Sequence, residues 1–217
     1  MQDVPVTTMT SREYCTVFGF KPFQIAAEEH LVDIGSGNTD LLPLSRQAPD
    51  IGIIQIDPAY ALLPQDRMHG QTESAAFVRI ALEIGSPDKR ALMTASKIAE
   101  ILRGKAARVT SANTLRYLSE KQRGIAIAQM LEIADSGLVQ IYPVQQSGFD
   151  RVLAVSTAAG IHSSLHRNGI AGIRQIAYGV LGLNNTLTLD LRGRNKPLYA
   201  RERVPVAKQV ASYILGR

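Results

Sequence analysis

The chain has 217 residues, of which 45% are hydrophobic and 20% charged, a composition typical of a globular domain with a buried core. Its single cysteine, Cys15, excludes an internal disulfide and any cysteine cluster for a metal, and it suits a reducing compartment. No signal peptide is visible and no apolar run approaches the roughly 18 residues of a membrane span, so the sequence predicts a cytoplasmic protein without a membrane partner.

The first 29 residues precede the first strong strand pattern. Ser11 to Phe18 reads as a short helix with apolar Tyr14 and Phe18, and a second short helix is predicted over Gln24 to Glu29.

The next stretch predicts a strand, a glycine turn, a helix and a second strand. Leu31–Ile34 and Ile51–Ile56 are apolar on both faces, as buried parallel strands are. Gly35 and Gly37 follow the first run, and Asp40 to Gln47 supplies about two helical turns between the runs. Ligands of such sheets bind beyond the carboxyl ends of the strands, where these glycines lie.

The residue types at this turn suit a nucleoside. The two glycines let the backbone approach a ligand closely, and Asp57, which ends the second strand, can accept hydrogen bonds from a ribose diol. A dinucleotide fingerprint would place a third glycine at the position of Asp40, whose carboxylate would repel a pyrophosphate. No G-K-[ST] follows either, so the pattern argues against NAD, FAD and a Walker A phosphate loop.

Two short motifs here resemble those of the class I S-adenosylmethionine-dependent methyltransferases. Val32-Asp33-Ile34-Gly35-Ser36-Gly37 resembles the first motif of that family, and Ile54-Gln55-Ile56-Asp57-Pro58 resembles the second. The resemblance implies S-adenosylmethionine as cofactor, with its methionine end against Asp33 and the Gly35-Ser36-Gly37 turn. It further implies that Asp57 holds the ribose and that Pro58 and Ala59 border the adenine. The chain departs from the family at Thr39, where a third glycine is common.

A second signature overlaps the same residues. Asp57-Pro58-Ala59-Tyr60 is close to the D-P-P-Y signature of amino-methylating enzymes, in which acid and proline receive the target amine. Its distance from the glycine turn is that of the ribose acid, which favours the ribose interpretation.

The resemblance implies an α/β fold, with a Rossmann-like mostly parallel sheet flanked by helices. Residues 1–217 would form one domain, with 1–29 as a helical lid over the cofactor. Helical patterns dominate 61–135, over Gln71–Ile84, over Asp88–Arg103 and from Asn113 or Thr114 onward, with a short strand at Arg108–Ser111. We therefore predict an enlarged helical insertion over 61–135 that covers the substrate or forms a homo-oligomer interface.

Two further apolar runs follow, at Leu138–Pro143 and Arg151–Thr157. The second resembles the fourth strand of the family, which ends beside the transferred methyl group, and this implies a cofactor contact for Ser156. The polar stretch after it, residues 158–169, reads as a loop. His162 is the candidate general base there, since imidazole titrates near neutrality, and His166 is an alternative.

The remaining segments predict a helix over Ile170–Leu183, a strand over Thr186–Leu191 and a terminal helix with Pro205 in its first turn. Only Leu198–Val204 is left for the antiparallel pair that ends the family's sheet, so we expect that pair to be reduced or absent.

The predicted function is an S-adenosylmethionine-dependent methyltransferase, with a small molecule as the first candidate acceptor. Basic residues cluster between Arg103 and Arg123 and after Arg192, which keeps an RNA methyltransferase as an alternative. A non-catalytic methyltransferase-like subunit that binds a partner is the other.

Overall fold

The computed structural model describes residues 9–19, 29–37, 39, 41, 43–44, 51–63, 69–71, 76–167 and 185–214. Within them lie eight strands: β1 His30–Ile34, β2 Gly52–Ile56, β3 His69–Gln71, β4 Ala76–Ile80, β5 Ala106–Ala112, β6 Leu138–Val144, β7 His162–Arg167 and β8 Asn185–Asp190. The helices with full bounds there are α1 Ser11–Val17, α2 Lys89–Ile101, α3 Glu120–Ala134, α4 Phe149–Ala158 and α5 Ala200–Ile214.

All eight strands belong to one sheet in the order β3-β4-β2-β1-β5-β6-β8-β7. The five strands from β4 to β6 in that order are parallel, whereas β3 and β8 run antiparallel to their neighbours. The prediction of an α/β fold with a mostly parallel sheet flanked by helices is confirmed. The antiparallel pair that we expected to be reduced is present, formed by β7 and β8.

Helices cover both faces of the sheet. On one face α2, α3, α4 and α5 bury the larger apolar cluster, which includes Val109, Ile127 and Val210. On the other face α1 buries a smaller cluster around Tyr14, Phe18 and neighbouring strand residues. Tyr14 is completely buried, so α1 is part of the core, and its role as a lid stays a prediction.

The face beneath α1 carries buried polar side chains on adjacent strands. Thr110 of β5, Asp33 of β1 and Gln55 of β2 lie in register, and all three are at most 1% exposed. Buried polar groups require partners, and Gln55 Nε2 donates to the Thr39 carbonyl at 2.8 Å. Gln140 of β6 likewise donates to the carbonyl of Phe18 at 3.1 Å, which fixes the end of α1 to the sheet.

The predicted helical insertion over 61–135 is not an insertion. This segment contains β3, β4 and β5, which extend the sheet, and the helices α2 and α3, which follow β4 and β5. The helix predicted over Gln71–Ile84 is wrong, because Ala76–Ile80 is strand β4. The helix capped by Asp88 is confirmed, and the carboxylate accepts from the backbone N–H groups of Arg90 and Ala91.

The strand predicted over Arg151–Thr157 is also wrong, because these residues form most of α4. Val152 and Ser156, one helical turn apart, are buried, whereas Leu153 is 38% exposed. That periodicity is helical, and the fourth strand of the parallel order is β5 instead.

The loop predicted over residues 158–169 contains strand β7, from His162 to Arg167. The terminal helix starts at Ala200, so Pro205 lies inside α5 and not in its first turn. Three predicted helices lie wholly or mostly outside the described residues. They are the helix over Ile170–Leu183, the helix over Gln24–Glu29 apart from Glu29, and most of the helix over Asp40–Gln47. None of the helices described is long and apolar enough to cross a membrane.

Candidate functional site

The glycine turn lies at the carboxyl edge of the sheet, directly after β1. Gly35 and Gly37 have φ angles of +69° and +51°, a region that favours glycine. A Cβ on Gly35 would overlap the side chain of Thr114, whose hydroxyl donates to the Gly35 carbonyl at 2.7 Å. The Ser36 hydroxyl donates to the Asp33 carbonyl at 2.9 Å and tightens the turn.

Asp57 meets this turn, as its spacing from the glycines predicts. One carboxylate oxygen accepts from the Gly37 N–H at 2.9 Å, and the other accepts from the Ala59 N–H at 2.8 Å. The carboxylate thereby caps the short 3₁₀ turn that starts at Pro58. Each oxygen retains acceptor capacity for a further donor, so the ligand role of Asp57 is compatible with these bonds.

Asp33 is buried beneath the turn, with 1% of its surface exposed. Burial raises the pKa of its carboxyl from 3.8 to about 6, although hydrogen bonds from neighbouring hydroxyls oppose the rise. Thr110 Oγ1 donates to Asp33 Oδ1 at 2.8 Å and is itself hydrogen-bonded to the Tyr14 hydroxyl. A chain of side chains therefore connects α1 to the first motif.

A cavity of about 150 Å³ adjoins the turn. Its walls come from the ends of β1 and β2 and from the segments after β4 and β5, and they are mostly apolar: Ile34, Gly35, Ile56, Pro58, Leu82, Glu83, Ile84, Thr114, Leu115, Leu118 and Ala126. Glu83 supplies a carboxylate to the lining. This volume is below the roughly 300 Å³ of a drug-sized pocket, so the cavity suits one ring system of a larger ligand.

The sequence analysis missed the part of this lining that follows β4 and β5. Glu83 fell within a predicted helix, and the turn that holds Thr114 and Leu115 was read as a helix start. The sequence signal was the A-F-V-R-I run of β4, in which Phe77, Val78 and Ile80 favour a strand.

Two predicted site residues lie away from the turn. His162 begins β7 opposite Asp190, which is itself opposite Leu138 at the start of β6, so His162 lies at the amino edge of the sheet. Ser156 is buried in α4, where its hydroxyl bonds the Val152 carbonyl and the Ser163 hydroxyl. The structure brings together Asp33, Gly35, Ser36, Gly37, Asp57, Pro58 and Ala59, but neither His162 nor Ser156.

The residues at the carboxyl edge fit the nucleoside of S-adenosylmethionine. Asp57 offers acceptor positions beside an open turn, where a Cβ on Gly37 would meet no atom within 4 Å. The apolar cavity next to Pro58 suits a flat heterocycle. In the described part of the chain, no group of three or more His, Cys, Asp or Glu side chains could hold a metal ion.

No protein-family model matches the sequence, and no curated protein is significantly similar to it. Solved structures are similar in fold. The antibiotic-resistance methyltransferase Kmr has a TM-score of 0.50 and 14% sequence identity, over 79% of this chain and 94% of that chain. The methyltransferase domain of bacterial CtHen1 has a TM-score of 0.48 and 13% identity, over 76% of this chain and 91% of that chain.

Human methyltransferase-like protein 13, in complex with SAH, is similar over 93% of this chain and 89% of that chain, with 14% identity and a TM-score of 0.43. The strand order and the glycine turn indicate the same fold as the similarity to Kmr does. The chain has the Rossmann-like fold of the class I S-adenosylmethionine-dependent methyltransferases.

Proposed function

We propose that the protein is an S-adenosylmethionine-dependent methyltransferase and that the cofactor binds at the carboxyl edge of β1 and β2. The observation that carries this proposal is the position of the Asp57 carboxylate, hydrogen-bonded to the Gly37 N–H and next to the apolar cavity. The carboxylate would bind the ribose, the open glycine turn the methionine chain and the small apolar cavity the adenine.

The residues would hold the cofactor as follows. Asp57 accepts hydrogen bonds from the ribose hydroxyls, and Pro58 and Ala59 border the adenine. Glu83, which lines the cavity, accepts a hydrogen bond from the adenine amino group. The Gly35-Ser36-Gly37 turn and Asp33 lie against the methionine end. The cofactor supplies an electrophilic methyl group on a sulfonium, so the protein's main task is to align the acceptor with that group.

No general base is required where the acceptor atom can attack without first losing a proton. The role of His162 as a general base stays a prediction, and its position at the opposite edge of the sheet does not support that role for an acceptor at the turn. We also propose that 1–217 is one domain, because all eight strands described belong to one sheet, and that the protein is cytoplasmic, in accord with its free Cys15.

The test is calorimetric titration with S-adenosylhomocysteine of the wild type, Asp57→Ala and Glu100→Ala. Asp57 makes charge-assisted hydrogen bonds worth about 1.5–3 kcal/mol each, so Asp57→Ala should weaken binding at least about tenfold. Glu100 is an exposed carboxylate on α2, paired with Lys97 at 3.0 Å, and its loss should leave the affinity unchanged. Thermal melts show whether each variant is folded. Absence of binding to folded wild-type protein would refute the proposal.

A further inference from the structure

An exposed aromatic side chain and a cation stand together just after β5. Tyr117 is 54% exposed, and the guanidinium carbon of Arg116 lies 4.8 Å from the centroid of its ring. The Arg116 Nε is enclosed and has no hydrogen-bond partner among the described residues. Arg116 Nη2 also donates to the Tyr117 hydroxyl at 2.5 Å. We call this pair, an exposed aromatic ring beside a cation, the platform, because nucleobases stack on such pairs.

The platform is at the rim of the proposed cofactor cavity. Tyr117 ends the 3₁₀ turn Leu115–Tyr117, and Thr114, Leu115 and Leu118 of the same segment line the cavity. The turn follows Asn113, a non-glycine residue with a φ of +63°, at which the chain leaves β5. A group stacked on Tyr117 would therefore lie beside the cofactor.

Basic residues occupy the first turns of the two helices at this edge. Lys89 and Arg90 open α2, which follows β4, and Lys121 lies in the first turn of α3, which follows β5. The N-terminus of a helix carries partial positive charge, so a cation there costs roughly 0.3–1 kcal/mol. These three exposed cations can attract an anion to this edge.

The nearby carboxylates have other partners. Asp88 accepts from the Arg90 and Ala91 N–H groups, and Glu120 accepts from the Ser212 hydroxyl at 2.6 Å. No ion pair joins either carboxylate to Lys89 or Lys121 among the described residues, and both lysines are exposed.

We propose that the methyl acceptor is a base of RNA, which stacks on the Tyr117–Arg116 platform while its phosphates bind Lys89, Arg90 and Lys121. The proposal rests on the proposed function and replaces a small molecule as the first candidate acceptor. Transfer to a base nitrogen forms one N–CH3 bond, breaks one S–CH3 bond and releases one proton to water, with S-adenosylhomocysteine as the other product.

The chain contains a matched control for the platform. Tyr199 is 51% exposed, and the guanidinium carbon of Arg201 lies 5.8 Å from its ring centroid. Tyr199 follows β8, which ends at the amino edge of the sheet, so this second pair is chemically alike but remote from the cavity. Tyr117→Ala and Tyr199→Ala therefore remove the same type of side chain from opposite edges of the sheet.

The experiment measures fluorescence anisotropy of a labelled RNA hairpin with a mixed-sequence loop, and of the same hairpin with an abasic loop, without cofactor. Stacking is worth about 1–3 kcal/mol per base, so Tyr117→Ala should weaken binding of the base-bearing loop about five- to hundredfold. Binding of the abasic hairpin should not change, and Tyr199→Ala should bind both hairpins as the wild type does.

Salt dependence tests the phosphate contacts. Affinity should fall linearly with salt on logarithmic axes, and Lys89→Ala combined with Arg90→Ala should reduce the magnitude of that slope by roughly 1.4 to 1.8. Free nucleoside monophosphates should compete only weakly with the hairpin. Equal competition by monophosphates would assign the site to a free nucleotide and overturn the RNA proposal.

Equal effects of Tyr117→Ala and Tyr199→Ala, or no hairpin binding at low salt, would also overturn it. The titration of wild-type protein with S-adenosylhomocysteine separates the two proposals. Hairpin binding without S-adenosylhomocysteine binding refutes the methyltransferase, whereas S-adenosylhomocysteine binding without a platform effect refutes the RNA acceptor alone.

Discussion

Replacement of Asp33 by asparagine should change how the free energy of unfolding depends on pH. Burial raises the pKa of the Asp33 carboxyl to about 6, whereas the unfolded carboxyl titrates near its usual 3.8. Between these values the folded protein holds a proton that the unfolded chain has released, so a rise in pH favours unfolding. At about 1.4 kcal/mol per pKa unit, the loss of stability amounts to about 3 kcal/mol by neutral pH.

Asparagine keeps an acceptor for the Thr110 hydroxyl and does not ionise. The stability of Asp33→Asn relative to the wild type should therefore increase by about 3 kcal/mol from about pH 3 to about pH 7, and level off above. Urea unfolding followed by circular dichroism at several pH values measures this difference. A difference that is flat across this range would show that the buried carboxyl is not destabilised when it ionises.

Asp190→Asn provides a control of opposite sign. Hydrogen bonds from Arg192 lower the pKa of Asp190, so that carboxylate contributes stability that is lost as pH falls. The stability of this variant relative to the wild type should decrease as pH rises. A trend of the same sign in both variants would point to a general effect of pH and not to Asp33.

Other substitutions at and away from the turn have distinct expected outcomes. Gly35→Ala should cost about 1–3 kcal/mol more stability than Gly37→Ala, because only the first would overlap the Thr114 side chain. Urea unfolding midpoints of the two variants measure this difference. Equal losses of stability would contradict the geometry. His162→Ala should bind S-adenosylhomocysteine with wild-type affinity in calorimetry, since it lies at the amino edge, and a marked loss would mean that His162 reaches the cofactor.

The β1–turn–β2 unit could be predicted from the sequence because its signals are local. The two apolar runs and the glycines are close in the chain, and the spacing from Gly37 to Asp57 correctly predicts that the carboxylate meets the turn. Short-range patterns of this kind specify one supersecondary unit without knowledge of the rest of the fold.

Strands β4 and β5 were harder to predict because polar residues interrupt their apolar patterns. Arg108 and Thr110 are satisfied by Gln140 and Asp33, at 3.0 Å and 2.8 Å, and these partners are 32 and 77 residues away. A sequence pattern cannot show that a polar strand residue will find such a partner. Strand β4 was missed, so Glu83 fell within a predicted helix. Strand β5 was predicted only over Arg108–Ser111, and Thr114 after it was read as a helix start.

The error at α4 has a different cause. The run from Val152 to Val155 is apolar throughout, and a run of this length is compatible with either a strand or a helix. The helix follows from Gly148, whose φ of +84° turns the chain after β6, and from burial of Val152 and Ser156 on one helical face. That misassignment placed Ser156 in the cofactor site and His162 in a loop.

We expect S-adenosylmethionine to bind at the glycine turn and its small cavity. A larger groove of about 870 Å³ lies between α3 and α5, and we expect no cofactor there. The most direct test is photochemical cross-linking of radiolabelled S-adenosylmethionine to the wild type, with peptide mapping and competition by S-adenosylhomocysteine. We expect label that S-adenosylhomocysteine competes away in peptides that contain Pro58, Glu83 or Leu115. Competed label confined to α3 and α5, or no competed label on folded protein, would contradict it.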